Sequence, residues 1–141
     1  MTRKSEAVSI DANIILRYLL GDHKDLSVKA ANILEGVEAC ESAVMCDPVN
    51  LAEVVWVLSS YYKLPNKEIY RGLEPILKMD GFLIPNKDRY LLALKLFAES
   101  VRHFGDACAC AGALQECSGK LYSFDAQLSE VSGIKRFESV I

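Results

Sequence analysis

The feature that most constrains the fold is a short apolar segment that ends in an acid and continues directly into a helical pattern. Residues 7–10 have the apolar character of a buried strand, Asp11 follows them, and Asn13 opens a helical stripe that stops at Gly21. In open α/β sheets, ligands bind beyond the carboxyl ends of the strands. The segment therefore predicts an α/β fold with a functional site at one edge of its sheet.

The rest of the chain alternates between short apolar runs and amphipathic segments. Strands are predicted at residues 7–10, 43–46, 82–84, 121–124 and 136–140, and helices at residues 13–20, 25–35, 48–63, 66–78, 88–97 and 107–117. Pro75 is expected to kink or restart its helix. This rhythm predicts a three-layer α/β/α sandwich around a central parallel sheet. The 141 residues contain no internal repeat, so we expect a single domain over residues 1–141.

Composition narrows the class of protein. A chain that is 51% hydrophobic and 25% charged is globular. Its net charge of −3 argues against a broad basic surface for duplex DNA, although a local basic cluster for RNA is compatible with it. No apolar run approaches the roughly 20 residues that span a bilayer, and no signal peptide is visible. We expect a cytoplasmic protein that does not enter the membrane.

The five cysteines do not form a metal-binding or disulfide pattern. Their number is odd and no CxxC pair occurs, so we interpret all five as reduced thiols in or near the core. With two histidines in the chain, a histidine-rich zinc site is not favoured.

Four acids occupy positions where a charge is unexpected. Asp11 and Asp125 end apolar strands, Glu53 interrupts an apolar run, and Asp106 heads an Ala-rich helix. Burying an unpaired carboxylate costs several kcal/mol, and a divalent cation held by converging carboxylates would offset that cost. Oxygen ligands favour Mg²⁺ or Mn²⁺ over zinc.

Each acid also has a purely structural interpretation. Asp106 fits a helix N-cap, Asp11 and Asp125 fit turns or caps, and Glu53 fits the solvated rim of its helix. Asn13, taken alone, is also typical of a cap. The combination favours the metal hypothesis, because without a metal each of these separate structural explanations would have to be true at the same time.

Four short motifs, in this order, resemble those of the PIN-domain nucleases, and most closely the VapC-type toxins of toxin–antitoxin pairs. The motifs are Asp11-Ala12-Asn13, Asn50-Leu51-Ala52-Glu53, Gly105-Asp106-Ala107 and Ser123-Phe124-Asp125. The resemblance extends from Val8 to about Phe137. No single motif is specific, whereas the four in order along an α/β chain are fairly specific.

The resemblance implies an α/β/α sandwich and Mg²⁺- or Mn²⁺-dependent endonucleolytic cleavage of RNA. It assigns catalysis and metal binding to the acidic quartet Asp11, Glu53, Asp106 and Asp125, and supporting roles to Asn13 and Ser123. It also implies inhibition by a small antitoxin protein. Many members carry a further acid where this chain has Gln127, which leaves open whether one or two metals bind.

Partner contacts are less determined by the sequence. The candidate RNA-binding residues are Arg17, Lys63, Lys87, Arg89 and Arg102, although for each one alone an ordinary surface charge is the stronger interpretation. A homodimer or an antitoxin groove could use Ile14, Ile15, Leu19 and the helix at residues 66–78, although such stripes more often face a core.

Two other functions remain open. One is a catalytically silent PIN-fold binding protein, which metal titration and an RNA-cleavage assay would distinguish. The other is a Mg²⁺-dependent phosphoacceptor domain of the receiver type. A receiver would need an acceptor aspartate after a middle strand, and residues 82–85 offer none. A dehalogenase-like phosphatase would need a second aspartate where the chain has Asn13.

Overall fold

The structure is a computed structural model that describes residues 6–141. These residues form six α-helices and five short strands. The strands are β1 (Val8–Ile10), β2 (Val44–Cys46), β3 (Phe82–Leu83), β4 (Lys120–Tyr122) and β5 (Lys135–Phe137). The helices are α1 (Ala12–Leu20), α2 (Lys24–Glu38), α3 (Pro48–Trp56), α4 (Asn66–Leu77), α5 (Lys87–Glu99) and α6 (Phe104–Glu116), with a π-helical turn at Val57–Tyr61 and a 3₁₀ helix at Ala126–Glu130.

The chain forms two compact units, and the first ends at Lys87. Its sheet has the order β1-β2-β3, and both strand pairs are parallel. Val44 of β2 lies opposite Val8 on one side and Phe82 on the other. Parallel pairing brings the carboxyl ends of the strands to one edge, and Asp11 follows β1 at that edge.

The second unit runs from Asp88 to Ile141. Its strands β4 and β5 form a two-stranded parallel sheet, in which Leu121 lies opposite Arg136. Apolar side chains of α5 and α6 supply its core, and the rings of Phe97 and Phe104 meet edge to face at 5.8 Å. The predicted α/β class with parallel strands is confirmed, although β4 and β5 pair with each other in a sheet of their own.

The start of α6 differs from the prediction. Asp106 was expected to cap this helix, but the helix begins at Phe104 and His103 occupies the N-cap position. The His103 carbonyl accepts a hydrogen bond from Ala107 N, and Phe104 is buried against Phe97. Burial of the Phe104 ring thus accompanies an earlier start, which places Asp106 inside the first turn.

Three other helices also differ in detail. Helix α2 is capped by His23, whose Nδ1 accepts a hydrogen bond from Leu26 N, and not by Asp25. The helical run after Pro48 widens into the π-helical turn before it ends, and α4 continues through Pro75 without a break. Strands β1, β2 and β3 are each one residue shorter than predicted. Strands β4 and β5 begin one residue earlier than predicted and end two and three residues earlier.

The cysteine prediction holds only in part. All five thiols are free, and Cys46 and Cys110 are buried, but Cys40 and Cys117 are exposed. Burial raises the pKa of the Cys46 and Cys108 thiols to about 11. Among residues 6–141, no helix combines the length and apolar content that crossing a bilayer requires.

Gly119 generates a test of how the second unit is held together. Its φ of +82° is unfavourable for other residues, and a Cβ there would collide with the backbone of Gly133. We expect Gly119→Ala to lower the free energy of unfolding by about 2–4 kcal/mol, since strain and collision add. Urea unfolding measures this change.

Gly105→Ala is the matched control, because Gly105 lies within α6 and a Cβ there would meet no atom within 4 Å. That variant should be neutral or more stable by up to about 1 kcal/mol. Equal stability of the two variants would contradict this account of the Gly119 turn.

Candidate metal centre

Asp11 stands at the junction between β1 and α1. Its extended backbone (ψ 171°) ends the strand, and its Oδ1 accepts a hydrogen bond from Ile14 N at 3.3 Å as the N-cap of α1. The cap uses one carboxylate oxygen, and the side chain is exposed. Asn13, which the sequence alone suggested as a cap, lies exposed within the helix, and Asp11 has the capping role.

Asn50 connects α3 to this junction. Its Oδ1 accepts a hydrogen bond from the backbone N–H of Ala12 at 3.3 Å, across 38 residues of sequence. Glu53 lies three residues further along α3 and therefore on the same face of the helix as Asn50. Asn50 was not predicted as a site residue from the sequence. Its spacing of three residues from Glu53, which places both on one helix face, could have indicated it.

Asp125 ends the extended segment after β4. Its Oδ1 caps the 3₁₀ helix by accepting a hydrogen bond from Gln127 N at 2.9 Å. The Ser123 hydroxyl oxygen in turn accepts a hydrogen bond from Asp125 N at 3.0 Å. Ser123 therefore holds the backbone of Asp125 in place.

Asp106 and Asp125 line one cavity in the second unit, although they are distant in sequence. The cavity has a volume of about 80 Å³, and Arg102, Gln127 and Glu130 also contribute to its wall. Burial raises the pKa of the Cys110 thiol, and the carboxylates of Asp106 and Asp125 raise it further. Both acids therefore act on the same thiol, which places their charges in one local environment.

Arg136 holds the segment that carries Asp125. Its Nε donates to Ser129 Oγ at 2.7 Å and its Nη1 donates to the Ser123 carbonyl at 2.9 Å, while Glu138 forms an ion pair with it. The Arg136 side chain is only 17% exposed. This positioning residue was missed from the sequence, because no local pattern distinguishes it from a surface arginine.

The four acids are less buried than the sequence suggested. Asp11, Glu53 and Asp125 are exposed and Asp106 is half-buried, and no charged side chain is buried anywhere in residues 6–141. The prediction that these acids are buried and therefore require a cation is wrong for this chain. Each unit contributes two of the acids, and Asp106 and Asp125 are the two that share a cavity.

Comparison with known families decides the class of the protein. The family model for the PIN domain matches residues 8–134, which include all four acids and extend over both units. The chain belongs to the PIN domain family. PIN domains are generally metal-dependent nucleases. No curated protein matches the chain.

The donor atoms of this PIN domain suit a small hard cation. Asp106 and Asp125 offer carboxylate oxygens, and the cavity is larger than the roughly 30 Å³ that one water occupies in the liquid. In residues 6–141 no group of three or more acidic, histidine or cysteine side chains is arranged to hold a metal. Mg²⁺ commonly binds through one or two carboxylates and takes its other ligands from water and phosphate, so the pair fits.

Four of the five candidate RNA-binding residues differ in their contacts. Arg17 is paired with Asp22 at 2.7 Å, the Lys87 ammonium donates to the Met79 carbonyl, and Arg89 is paired with Glu116. Arg102 lines the cavity beside Asp106 and Asp125.

The contacts of Arg136 generate a prediction. Arg136→Met should lower the free energy of unfolding by about 1–3 kcal/mol, because hydrogen bonds from a charged, half-buried donor are lost. Arg71→Met is the control, since Arg71 is 70% exposed and its ion pair with Glu68 is at the surface. That variant should stay within about 0.5 kcal/mol. Matching denaturation curves for the two variants would contradict the positioning role.

Proposed function

We propose that this PIN domain is a Mg²⁺- or Mn²⁺-dependent endoribonuclease. The observation that carries the proposal is the Asp106–Asp125 pair, which shares one cavity in a chain of this family. Asp11 and Glu53, on α1 and α3, are proposed as the other two acids of the site, and Asn13 and Ser123 as supporting residues. Asn50 supports the grouping of Asp11 with Glu53 within the first unit, because it joins α3 to the start of α1.

The side chains have separate tasks in the proposed hydrolysis. Asp106 and Asp125 would hold the cation, and Ser123 and Arg136 keep the Asp125 segment in place. Bound Mg²⁺ or Mn²⁺ supplies charge neutralisation at the scissile phosphate and activation of a water for in-line attack. Arg102 lines the same cavity and would draw the phosphate towards it.

No protein nucleophile is required by this scheme. Cys110, the thiol on which both acids act, is buried and its pKa is raised, so it stays protonated at neutral pH. A neutral, inaccessible thiol is a poor nucleophile. Water is therefore the attacking group in the proposed reaction.

Neutralising either acid tests the proposal. Asp106→Asn and Asp125→Asn should each lower Mn²⁺-dependent cleavage of single-stranded RNA at least about 100-fold, a typical effect of losing one charge-stabilising group. Asp80→Asn is the control, because Asp80 is exposed and lies outside the proposed site. Circular dichroism should show an unchanged fold in all three variants. Wild-type cleavage rates in both site variants would refute the assignment.

A catalytically silent PIN protein is the second candidate. The observation that favours it is the lack of a three-ligand group among the described residues. Such a protein would bind RNA or a partner without turnover. The cleavage assay separates the two, since the wild-type chain would then release no product at any Mn²⁺ concentration.

We further propose that the nuclease is the cytoplasmic toxin of a type II toxin–antitoxin pair and forms a homodimer. A groove between α1 and α4 in the first unit, with a volume of about 350 Å³, supports a small protein partner. Leu19, Leu20 and Ile69 line it, and Glu68 and Arg71 lie at its rim. An apolar floor with charged margins suits an amphipathic helix of an antitoxin. Ile15 contributes nothing to this surface, because it is fully buried.

The groove leads to a prediction about the partner. If a short gene lies beside the gene for this chain, its product should co-purify with the chain and suppress its RNA cleavage. Arg71→Glu should weaken that complex about 10-fold or more, since rim charges influence pairing specificity. Lys95→Glu, at an exposed site on α5, should leave the affinity unchanged. Equal affinities for the two variants, measured by calorimetry, would exclude the groove as the docking site.

A further inference from the structure

One face of the two-stranded sheet in the second unit combines aromatic rings with lysines. Side chains alternate between the two faces of a strand, and paired residues of parallel strands share a face. Lys120 and Tyr122 of β4 therefore lie on the same face as Lys135 and Phe137 of β5. Phe124 lies two residues beyond Tyr122, at the bend that leads from β4 to Asp125, and Ser123 N before it still donates to the Phe137 carbonyl. We call these five residues the aromatic–lysine face.

The rings of this face are open to solvent. Phe124 is 86% exposed and Tyr122 is 58% exposed, while Phe137 is half-buried. The Tyr122 hydroxyl accepts a hydrogen bond from Ile141 N at 3.0 Å, which restrains the position of the ring. Exposing large apolar rings to water is unfavourable, so two such rings only two residues apart in the chain indicate a ligand-binding surface.

The charges of the face indicate what it binds. Lys120 and Lys135 lie directly opposite each other and are exposed, and neither forms an ion pair within residues 6–141. No position of the aromatic–lysine face carries an acid. The opposite face has Arg136, which is already engaged with Ser123, Ser129 and Glu138. Unpaired cations beside exposed rings are complementary to a polyanion with planar groups.

We propose that the aromatic–lysine face is a binding surface for single-stranded RNA, with bases stacked on Phe124 and Tyr122 and phosphates near Lys120 and Lys135. The proposal rests on the proposed nuclease function, since Phe124 directly precedes Asp125 and the face ends at the cavity that holds the acidic pair. Aromatic side chains bind unpaired bases by stacking, which a duplex does not permit. The face would therefore place unpaired nucleotides beside the point of cleavage.

Binding measured without metal tests the face separately from catalysis. The probe is a short fluorescein-labelled oligouridine, and its anisotropy is followed in EDTA. Phe124→Ala and Tyr122→Ala should each raise Kd by about 5- to 100-fold, as expected for loss of one stacked base. Phe124→Trp and Tyr122→Phe keep a ring, so their Kd should stay within about threefold of wild type.

Substitution of the two lysines should change the salt dependence of RNA binding in the same assay. Lys120→Ala and Lys135→Ala should each reduce the slope of log Kd against log salt by about 0.7, the value for one phosphate contact on a single strand. Lys95→Ala and Tyr61→Ala are matched controls, since both residues are exposed and lie outside the face. Both controls should bind RNA as the wild type does.

Two results would overturn the proposal. One is wild-type affinity in both Phe124→Ala and Tyr122→Ala. The other is a dimer in sedimentation equilibrium that becomes a monomer in Phe124→Ala, because the face would then be a contact between copies of the chain. If the wild type binds the oligouridine through this face and cleaves no RNA with Mn²⁺, the nuclease function fails while the binding surface stands. If the wild type cleaves RNA and both ring variants bind the oligouridine normally, the proposed binding surface is wrong while the nuclease function stands.

Discussion

The proposed site depends on carboxylates held by backbone N–H groups at the starts of helices. Asp11 accepts from Ile14 N and Asp125 accepts from Gln127 N, so each strand end is joined to the helix that follows it. Free N–H groups at a helix start favour a negative charge there. Each of these caps uses one carboxylate oxygen, and the second oxygen remains for a ligand. Capping and cation binding are therefore compatible roles for the same side chain, and the two interpretations of these acids need not compete.

The acids proposed for catalysis are not the residues that stabilise the fold. No charged side chain is buried in residues 6–141, so the acids do not require a cation to compensate for lost hydration. Burial of apolar side chains holds each unit, and the acids lie at the edges of these cores. A site of this kind can lose a charge at modest cost to stability. Its cation affinity then comes from a few oxygens and from the substrate phosphate, as is usual for Mg²⁺.

Much of the fold and part of the site could be predicted from the sequence, for reasons that differ between residues. The strand-to-helix junction at Asp11 is local, so apolar periodicity and an acid sufficed to locate it. Asn50 and Arg136 could not be assigned, because their roles arise from contacts with Ala12 and Ser123, which lie far away in sequence. The exposure of Glu53 could not be predicted either, since an apolar run does not show which side of a helix faces water.

The most direct test of the central claim is where Mn²⁺ binds. Paramagnetic broadening of assigned amide signals during a Mn²⁺ titration would locate the ion without relying on cleavage. The account predicts saturable broadening centred on Asp106 and Asp125, with Gln127 and Ser123 among the affected residues, and none of it in the Asp106→Asn variant. Broadening confined to other acidic surfaces, or unchanged by that substitution, would contradict a cation held by this pair.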